Sequence, residues 1–238
     1  MTKHADCLIE IHTEELPPKS QKKLAAAFLQ QITERLQKEN LAFDAVNSFV
    51  TPRRLAVIVT ALADAQPDQN IERKGPALNA AFDKDGNPSK ACEGFARSCN
   101  VTPQDLLTIK TEQGEWVGYR QAVKGKAIAE LLPAIVEQAA MALPIAKRMR
   151  WGSNTVEFVR PVHSVILLYG KKVMPAEILG CKTGNITRGH RFMADEELKI
   201  SSPAEYENIL EKSGKVIPDF NKRRELIRAA AEACAETE

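Results

Sequence analysis

The sequence predicts an α+β protein in which mixed, largely antiparallel sheets pack with amphipathic helices. Three observations support this class. Residues 7–59 read in the order strand, helix, strand, strand, residues 106–123 carry a β-hairpin pattern, and residues 156–192 form a run of short β-rich segments. The chain has 238 residues, of which 44% are apolar, and this is enough to build a hydrophobic core.

The first element is a short alternating strand, Cys7–Ile11, which ends at the polar and Pro-rich residues 13–18. A helix is predicted over residues 19–39, because apolar side chains recur there at every fourth position: Leu24, Phe28, Ile32 and Leu36. A turn over residues 51–54 leads into Leu55–Val59. This β-branched run is apolar on both faces, so we expect an inner strand of a sheet covered on both sides.

Residues 65–100 are rich in Pro, Gly, Asn and Asp, and we expect mostly loop with short helices there. The second of these helices spans about Ser89–Cys99, and its predicted buried residues are Ala91, Cys92, Phe95 and Ala96. A hairpin is predicted between Leu106–Thr111 and Trp116–Val123, joined by residues 112–114. An amphipathic helix follows from Ile128 to near Leu143, in which Pro133 marks either a kink or the first turn.

The last part of the chain is predicted to pass from strands to helices. Strands are expected over residues 156–159, 162–169, 173–179 and 186–192, then a helix over 204–212, a strand at Val216–Ile217 and a final helix without a Gly or Pro stop. That ending indicates a fragment. The predicted organisation is a basic α/β body over 1–64 and 144–200, an inserted helix-hairpin-helix subdomain over 65–143, and the start of a further helical region over 201–238.

Positive charge is concentrated between Lys147 and Arg191. This segment holds nine Lys or Arg residues against two acids, Glu157 and Glu177, a formal charge of +7 in a chain whose net charge is +2. Such a segment indicates a polyanionic partner, with nucleic acid first, because neutralised phosphates supply most of the affinity in such complexes. The alternative is a solvated basic face of an ordinary domain.

Several function classes find no support in the sequence. No apolar run is long enough to span a membrane, the first residues are unlike a secretory signal, and a cytoplasmic location is expected. The five scattered cysteines predict reduced thiols, and Cys92 and Cys99 have no partners at metal-ligand spacing. No phosphate-binding loop, dinucleotide fingerprint, zinc motif or nucleophile elbow is present. We therefore predict no catalytic and no metal-binding residue.

Two candidate chemical groups have simpler interpretations. His163 opens an apolar strand, so a partly buried and hydrogen-bonded core residue is favoured over a catalytic base. Glu14 and Glu15 stand between a strand and a helix, where carboxylates also favour the helix N-terminal dipole.

Arginine gives the strongest signal. In Met149–Gly152 the guanidinium of Arg150 is next to the indole of Trp151. In Thr187–Phe192, hydrogen-bond donor side chains surround a glycine, which would let a ligand approach the backbone closely. Arginine and aromatic planes stack on bases, and arginine binds phosphates with two hydrogen bonds. The alternative, prominent for residues 160–163, is that these arginines pair with acids inside the protein. If residues 186–192 form one strand, Arg188 and His190 face one side and Arg191 the other.

Six segments resemble the N-terminal portion of the β subunit of bacterial heterotetrameric glycyl-tRNA synthetase. They read LIEIHTEELPPKS (8–20), SFVTPRRLAV (48–57), KGPALNAAFDKDGNPSKACEGFARSC (74–99), KRMRWG (147–152), EFVRPVHSVILLYG (157–170) and TRGHRF (187–192). They follow the family's order and cover nearly the whole chain. Two departures are residues 11–13, where family members often carry Gly before Thr, and Ser164, where an aromatic residue is common.

The resemblance implies a part of an α2β2 ligase that attaches glycine to its tRNA with ATP and Mg²⁺. In that family the α subunit holds the catalytic core, and the β subunit binds tRNA through several domains, including an HD-type domain and a C-terminal anticodon-binding domain. This chain would be the front portion, inactive alone and binding no cofactor, with the α subunit and glycine tRNA as partners and no membrane.

The tRNA-binding residues expected on this basis are all cationic. The first set is Arg148, Arg150, Arg188 and Arg191, and the second is Arg53, Arg54, Arg73 and Lys74. Two rival functions remain open. The first is a scaffold that docks the α subunit and the remaining β domains without touching tRNA. The second is an editing hydrolase, although the sequence contains no recognisable cluster of His, Cys or Asp that could activate a water molecule.

Overall fold

The computed structural model describes residues 3–83, 86–111, 114–153 and 155–236. It divides into two compact units: unit 1 comprises residues 1–66 and 126–238, and unit 2 comprises residues 67–125. Both helices and largely antiparallel strands are present, so the α+β prediction is confirmed. Within the described ranges, no helix combines the length and the apolar character that crossing a membrane requires.

Six α-helices and fourteen strands are found in the described part of the chain. The helices are α1 Gln21–Lys38, α2 Leu78–Ala81, α3 Lys90–Ser98, α4 Ile128–Met141, α5 Tyr206–Lys212 and α6 Phe220–Glu236. The strands are β1 His4–Thr13, β2 Ala45–Thr51, β3 Arg54–Ala63, β4 Gln69–Ala77, β5 Leu107–Thr111, β6 Gly114–Val123, β7 Met149–Arg150, β8 Glu157–Phe158, β9 Val162–Tyr169, β10 Lys172–Val173, β11 Glu177–Ile178, β12 Cys181–Gly184, β13 Ile186–Arg188 and β14 Glu197–Lys199.

Unit 1 is built on a sheet with the strand order β11-β12-β9-β1-β3-β2, to which β10 adds beside β9. All of its pairs are antiparallel except β12 with β9. The central strand β1 lies between β3 and β9, with Ile9 opposite Val57 on one side and Leu167 on the other. Antiparallel pairing brings the end of β1 and the starts of β3 and β9 to the same end of the sheet, where the candidate site lies.

Helices α1 and α4 cover one face of this sheet. The predicted stripe of α1, from Leu24 to Leu36, is fully buried against β-strand residues such as Ile9 and Val57, as the four-residue spacing requires. Helix α4 packs beside α1 and buries Leu132 and Val136 in the same core. Pro133 lies inside α4 rather than in its first turn.

The opposite face of the sheet is also covered. Leu8 and Ala56 alternate with the residues of the first core and pack with Tyr206 and Leu210 of α5. Strand β3 is therefore covered on both sides, which confirms the interpretation of the apolar run Leu55–Val59. Each fully buried Leu, Ile or Val side chain here contributes about 1.5–3 kcal/mol to folding.

Unit 2 is a three-stranded antiparallel sheet, β4-β6-β5, with helices α2 and α3. The predicted hairpin pairs β5 with β6, and its turn at 112–113 lies outside the described residues. Strand β4 was missed: residues 65–100 were expected to be mostly loop, but Gln69–Ala77 pairs along β6. The helix at 90–98 is present with Ser89 as its N-cap, although Ala91 is exposed rather than buried.

Unit 1 differs from the sequence-based expectations at several places. The strand expected over 173–179 is interrupted, and its ends belong to two separate short strands, β10 and β11. Helix α4 belongs to unit 1, whereas the sequence-based division grouped it with the 65–143 insertion. The strand expected over 186–192 ends at Arg188, so residues 189–194 form a turn. Val216–Ile217 is not a strand, because Lys215 takes a positive φ of 55° and Pro218 follows directly.

Candidate nucleic-acid interface

Two cavities in unit 1 share Arg53 and Arg191 as lining residues, and we call them together the arginine cleft. The first, about 550 Å³, is lined by His12, Arg53, His163, Ser164, Ile186, Thr187, Arg188, Arg191, Asp195 and Glu197. The second, about 380 Å³, is lined by Glu15, Thr51, Pro52, Arg53, Arg54, Gly189, His190, Arg191, Phe192, Lys215, Val216, Ile217 and Arg223. The lining carries six Lys or Arg residues against three acids.

The sheet explains why these residues meet. Arg53 is in the tight turn between β2 and β3, where Thr51 pairs with Arg54, as the sequence predicted. His163 lies near the start of β9, opposite the end of β1, and Arg188 ends β13. Antiparallel pairing thus brings together side chains that are far apart in the sequence.

A hydrogen-bonded network joins Glu14, Arg53 and His163. Glu14 Oε1 lies 2.9 Å from His163 Nε2 and accepts a hydrogen bond of 3.2 Å from Arg53 Nη2. The hydrogen bond from His163, and then the charge of Arg53, lower the pKa of Glu14. The carboxylate is therefore engaged with these side chains and not with a helix N-terminus. His163 is hydrogen-bonded as expected, but 44% of its side chain is exposed, so it is not a core residue.

His12 stands beside this network with its side chain buried. Its ring centroid is 5.7 Å from that of His163, and its Nδ1 has no hydrogen-bond partner among the described residues. Burial, followed by the charges of Arg54 and Arg53, lowers the pKa of His12 to about 3. His12 is therefore neutral at physiological pH and adds no positive charge to the cleft.

Arg54 points into the protein. It is 1% exposed, its Nε is 4.0 Å from Glu10 Oε2, and its Nη2 donates a hydrogen bond to the backbone carbonyl of Arg188. Glu10 is itself fully buried and accepts hydrogen bonds from the hydroxyls of Thr187 and Tyr206. This position does not support the expected phosphate contact of Arg54, because its charge already faces a buried carboxylate.

Arg188 and Arg191 are half exposed, and each forms ion pairs with acidic side chains. Arg188 Nη2 lies 3.2 Å from Glu197 Oε1, and its Nη1 lies 3.5 Å from Asp195 Oδ1. Arg191 Nη1 lies 3.2 Å from Glu15 Oε1. Exposed ion pairs of this kind contribute about 0–1 kcal/mol each, so a phosphate can replace the carboxylate at little cost.

The other expected tRNA-binding residues do not line the arginine cleft. Arg148 donates hydrogen bonds to the carbonyls of Met141, at 2.6 Å, and Glu157, at 3.4 Å, so it caps the last turn of α4. Arg150 is 66% exposed and pairs with Glu157 at 3.3 Å.

Arg73 and Lys74 both lie on β4 of unit 2. Arg73 Nη1 donates a hydrogen bond to the carbonyl of Ser98, and Lys74 Nζ stands 3.7 Å above the ring of Trp116. Both cations therefore have partners within unit 2.

Two cationic residues and one exposed aromatic residue of the cleft were not selected from the sequence. Arg223 lies in the first turn of α6, and its basic neighbourhood, NKRR, was a usable signal. Phe192 stood in the quoted TRGHRF segment, and its exposure of 87% sets it apart from an ordinary apolar residue. Nothing in the sequence pointed to Lys215. Among the described residues, no group of three or more His, Cys, Asp or Glu side chains could hold a metal ion.

Comparison with known proteins identifies the family. The model of the glycyl-tRNA synthetase beta subunit family matches residues 7–238. The chain is 53% identical over 233 residues to a glycine–tRNA ligase beta subunit of Marinobacter nauticus, covering 98% of this chain and 34% of the relative. It is 52% identical to that of Hahella chejuensis and 48% identical to that of Glaesserella parasuis, covering 98% and 94% of this chain and 34% and 33% of the relatives.

The chain therefore spans about a third of the length of the curated relatives it matches. The match extends through both units, from within β1 to the end of α6. The resemblance carried by the six sequence segments is confirmed, and the chain belongs to the glycyl-tRNA synthetase beta subunit family.

Proposed function

We propose that this chain binds and positions tRNA for glycine–tRNA ligase, the enzyme that the family name describes, while the α subunit attaches glycine with ATP. The observation that carries the proposal is the arginine cleft. It gathers three of the expected tRNA-binding residues at one end of the strands of the sheet: Arg188 and Arg191, which are half exposed, and Arg53, which is 21% exposed.

Phosphate binding by these arginines is energetically accessible. The ion pairs of Arg188 and Arg191 with Glu15, Asp195 and Glu197 are exposed to solvent, and such pairs are weak. Arg53 is less exposed and also pairs with Glu14 at 3.2 Å. A phosphate offers a guanidinium two parallel charge-assisted hydrogen bonds and brings a high density of neighbouring negative charge. Exchange of carboxylate for phosphate therefore favours the complex without unfolding any element of unit 1.

Binding at this cleft contributes to the reaction by positioning. A tRNA held at several phosphates presents its 3′ end to the α subunit in a restricted set of orientations. Correct placement of a reacting hydroxyl lowers the barrier by up to about 7–11 kcal/mol. ATP, Mg²⁺ and glycine are handled by the complex in this proposal, the subunits assemble as α2β2, and the site of action is the cytoplasm.

A second function is favoured by a separate observation. Each of the eight expected tRNA-binding residues contacts a carboxylate, a backbone carbonyl or an aromatic ring of this chain. Such pairing is typical of arginines that hold a fold together. The corresponding function is a scaffold that docks the α subunit and the remainder of the β subunit without touching tRNA.

Fluorescence anisotropy with transcribed glycine tRNA and an unrelated tRNA, at low and moderate salt, tests the proposal. We expect salt-sensitive binding that is tighter for the glycine tRNA. Replacing Arg188 and Arg191 by Ala should weaken binding and reduce the slope of log K against log salt by about 0.7–0.9 for each lost contact.

The matched control is Arg224→Ala, because Arg224 is 57% exposed, also pairs with a glutamate and lies outside the cleft lining. For this variant, the slope of log K against log salt should equal that of the unchanged chain. Binding of the α subunit without binding of RNA at low salt would replace the proposal by the scaffold function.

A further inference from the structure

Phe192 is the most unusual apolar side chain of unit 1. It is 87% exposed, although a phenyl ring is among the side chains that gain most from burial. Arg191 holds its guanidinium carbon 5.8 Å from the centroid of this ring, and the ring of His190 lies 6.2 Å away at 56°. An exposed aromatic ring flanked by cationic and imidazole groups matches the platforms on which unpaired bases stack.

The turn that carries Phe192 is fixed by its own hydrogen bonds. The backbone N–H groups of Phe192 and Met193 both donate to His190 Nδ1, at 3.3 Å. The N–H of His190 donates to the carbonyl of Gly214 at 2.7 Å, and a Cβ on Gly189 would stand 2.5 Å from the carbonyl oxygen of Ala194. The phenyl ring is thus presented by a preorganised turn, which lowers the entropy lost on binding.

The cavity beside this ring is mixed in character. Pro52, Val216 and Ile217 form apolar walls, while Arg53, Lys215 and Arg223 supply positive charge. Its lining contains one acid, Glu15, and its volume is about 380 Å³. A cavity of this size fits a small ligand group, and the charge favours an anionic one.

We propose that this cavity binds one unpaired nucleotide of single-stranded RNA, with its base stacked on Phe192 and its phosphate held by Arg191 and Arg53. The inference rests on the proposed function and narrows it to a class of RNA. In an A-form duplex the base faces are covered by neighbouring pairs, so only an unpaired segment can place a base on the ring. Stacking is tolerant of sequence, and the cationic residues track the backbone.

An acidic peptide of a protein partner is the main alternative occupant, because it also offers negative and apolar groups. It lacks a planar π-face at every residue, so it does not require an aromatic ring at position 192. The test must therefore show whether binding needs an aromatic side chain at position 192 or only an apolar one.

The probes are a fluorescent single-stranded RNA of about ten nucleotides without self-complementarity, and the blunt duplex of the same length. Binding to the whole chain is measured for Phe192→Ala, Phe192→Leu and Phe192→Tyr. Met193→Ala is the matched control, since Met193 is an exposed apolar neighbour in the same turn. Phe192 is exposed and lies outside the core, so these variants should keep the fold.

We expect Phe192→Ala and Phe192→Leu to weaken binding of the single strand by about tenfold, while Phe192→Tyr and Met193→Ala leave it unchanged. Duplex binding should not respond to any of the four variants. Equal affinity of all Phe192 variants for the single strand would overturn the inference. If tRNA binding then still depended on Arg188 and Arg191, the proposed function would stand without it. Capture of an acidic peptide with the same aromatic dependence, and no RNA binding, would overturn both.

Discussion

Replacing Arg54 by Met should destabilise unit 1 strongly without creating a cavity. Met keeps most of the length of the side chain but removes the charge that faces Glu10, which is fully buried. Removing one partner of a buried ion pair costs about 3–5 kcal/mol, because the remaining charge stays desolvated. The hydroxyls of Thr187 and Tyr206 still donate to the carboxylate, so we expect the lower half of this range.

Urea unfolding followed by tryptophan fluorescence measures this loss. The chain has two tryptophans, of which Trp116 lies in unit 2 and Trp151 packs against the core of unit 1. A Trp116→Phe background therefore reports unit 1 alone. Tyr206→Phe should cost about 1.5–3 kcal/mol, the value of a hydrogen bond to a charged group. The double variant Glu10→Gln with Arg54→Met should recover part of the loss.

The surface variant Arg224→Met is the control for charge removal and should change stability by less than about 0.5 kcal/mol. A loss below about 1 kcal/mol for Arg54→Met would contradict the buried pair. So would strict additivity of the Glu10 and Arg54 substitutions, because paired groups must show a coupling energy.

Four further outcomes are expected. Burial lowers the pKa of His12 to about 3, below its ordinary 6.5. The free energy of unfolding should therefore be highest above pH 6.5 and should fall between pH 6.5 and pH 3 by up to about 1.4 kcal/mol per pH unit, because only the unfolded chain protonates His12 in that range. The urea midpoint of His12→Gln should depend less on pH. Gly189→Ala should weaken RNA binding in anisotropy titrations, because its Cβ would clash with a backbone carbonyl at 2.5 Å. Replacing both Arg148 and Arg150 by Ala should leave the slope of log K against log salt for tRNA binding unchanged and should lower the melting temperature, because both side chains have partners within the chain. If they contacted phosphates instead, the slope would decrease by about one unit for each arginine. Glu15→Gln should tighten tRNA binding up to about fivefold, because it releases arginines from a competing carboxylate.

Periodicity predicted the elements whose apolar side chains face the core. The stripe of α1 and the doubly apolar run of β3 are visible in the sequence because burial selects the residues. Strand β4 was missed for the opposite reason: residues 69–74 are exposed, so no alternation marks them. The strand predicted over 186–192 stops early because Gly189 packs against the backbone of Gly214 and Ala194, which alternation cannot reveal.

The site was predictable by residue type but not by geometry. Charge and composition selected Arg53, Arg188 and Arg191, which the fold brings to one cleft. The same criteria selected Arg54, whose partner Glu10 is on another strand, and only the register of β1 against β3 shows that this pair is buried. The arrangement of side chains around a cleft depends on contacts between distant segments, and composition carries no information about them.

The acids of the arginine cleft explain how a preorganised phosphate site can persist without its ligand. Unpaired guanidinium groups at this density would repel one another, whereas Glu15, Asp195 and Glu197 pair with Arg188 and Arg191 and offset part of this repulsion. When phosphates replace these carboxylates, each released acid recruits a cation from solution, which offsets part of the counterion release from the RNA. The salt slope of the unchanged chain should therefore be smaller than the number of arginines in the cleft predicts, and it should rise when Glu15 is neutralised.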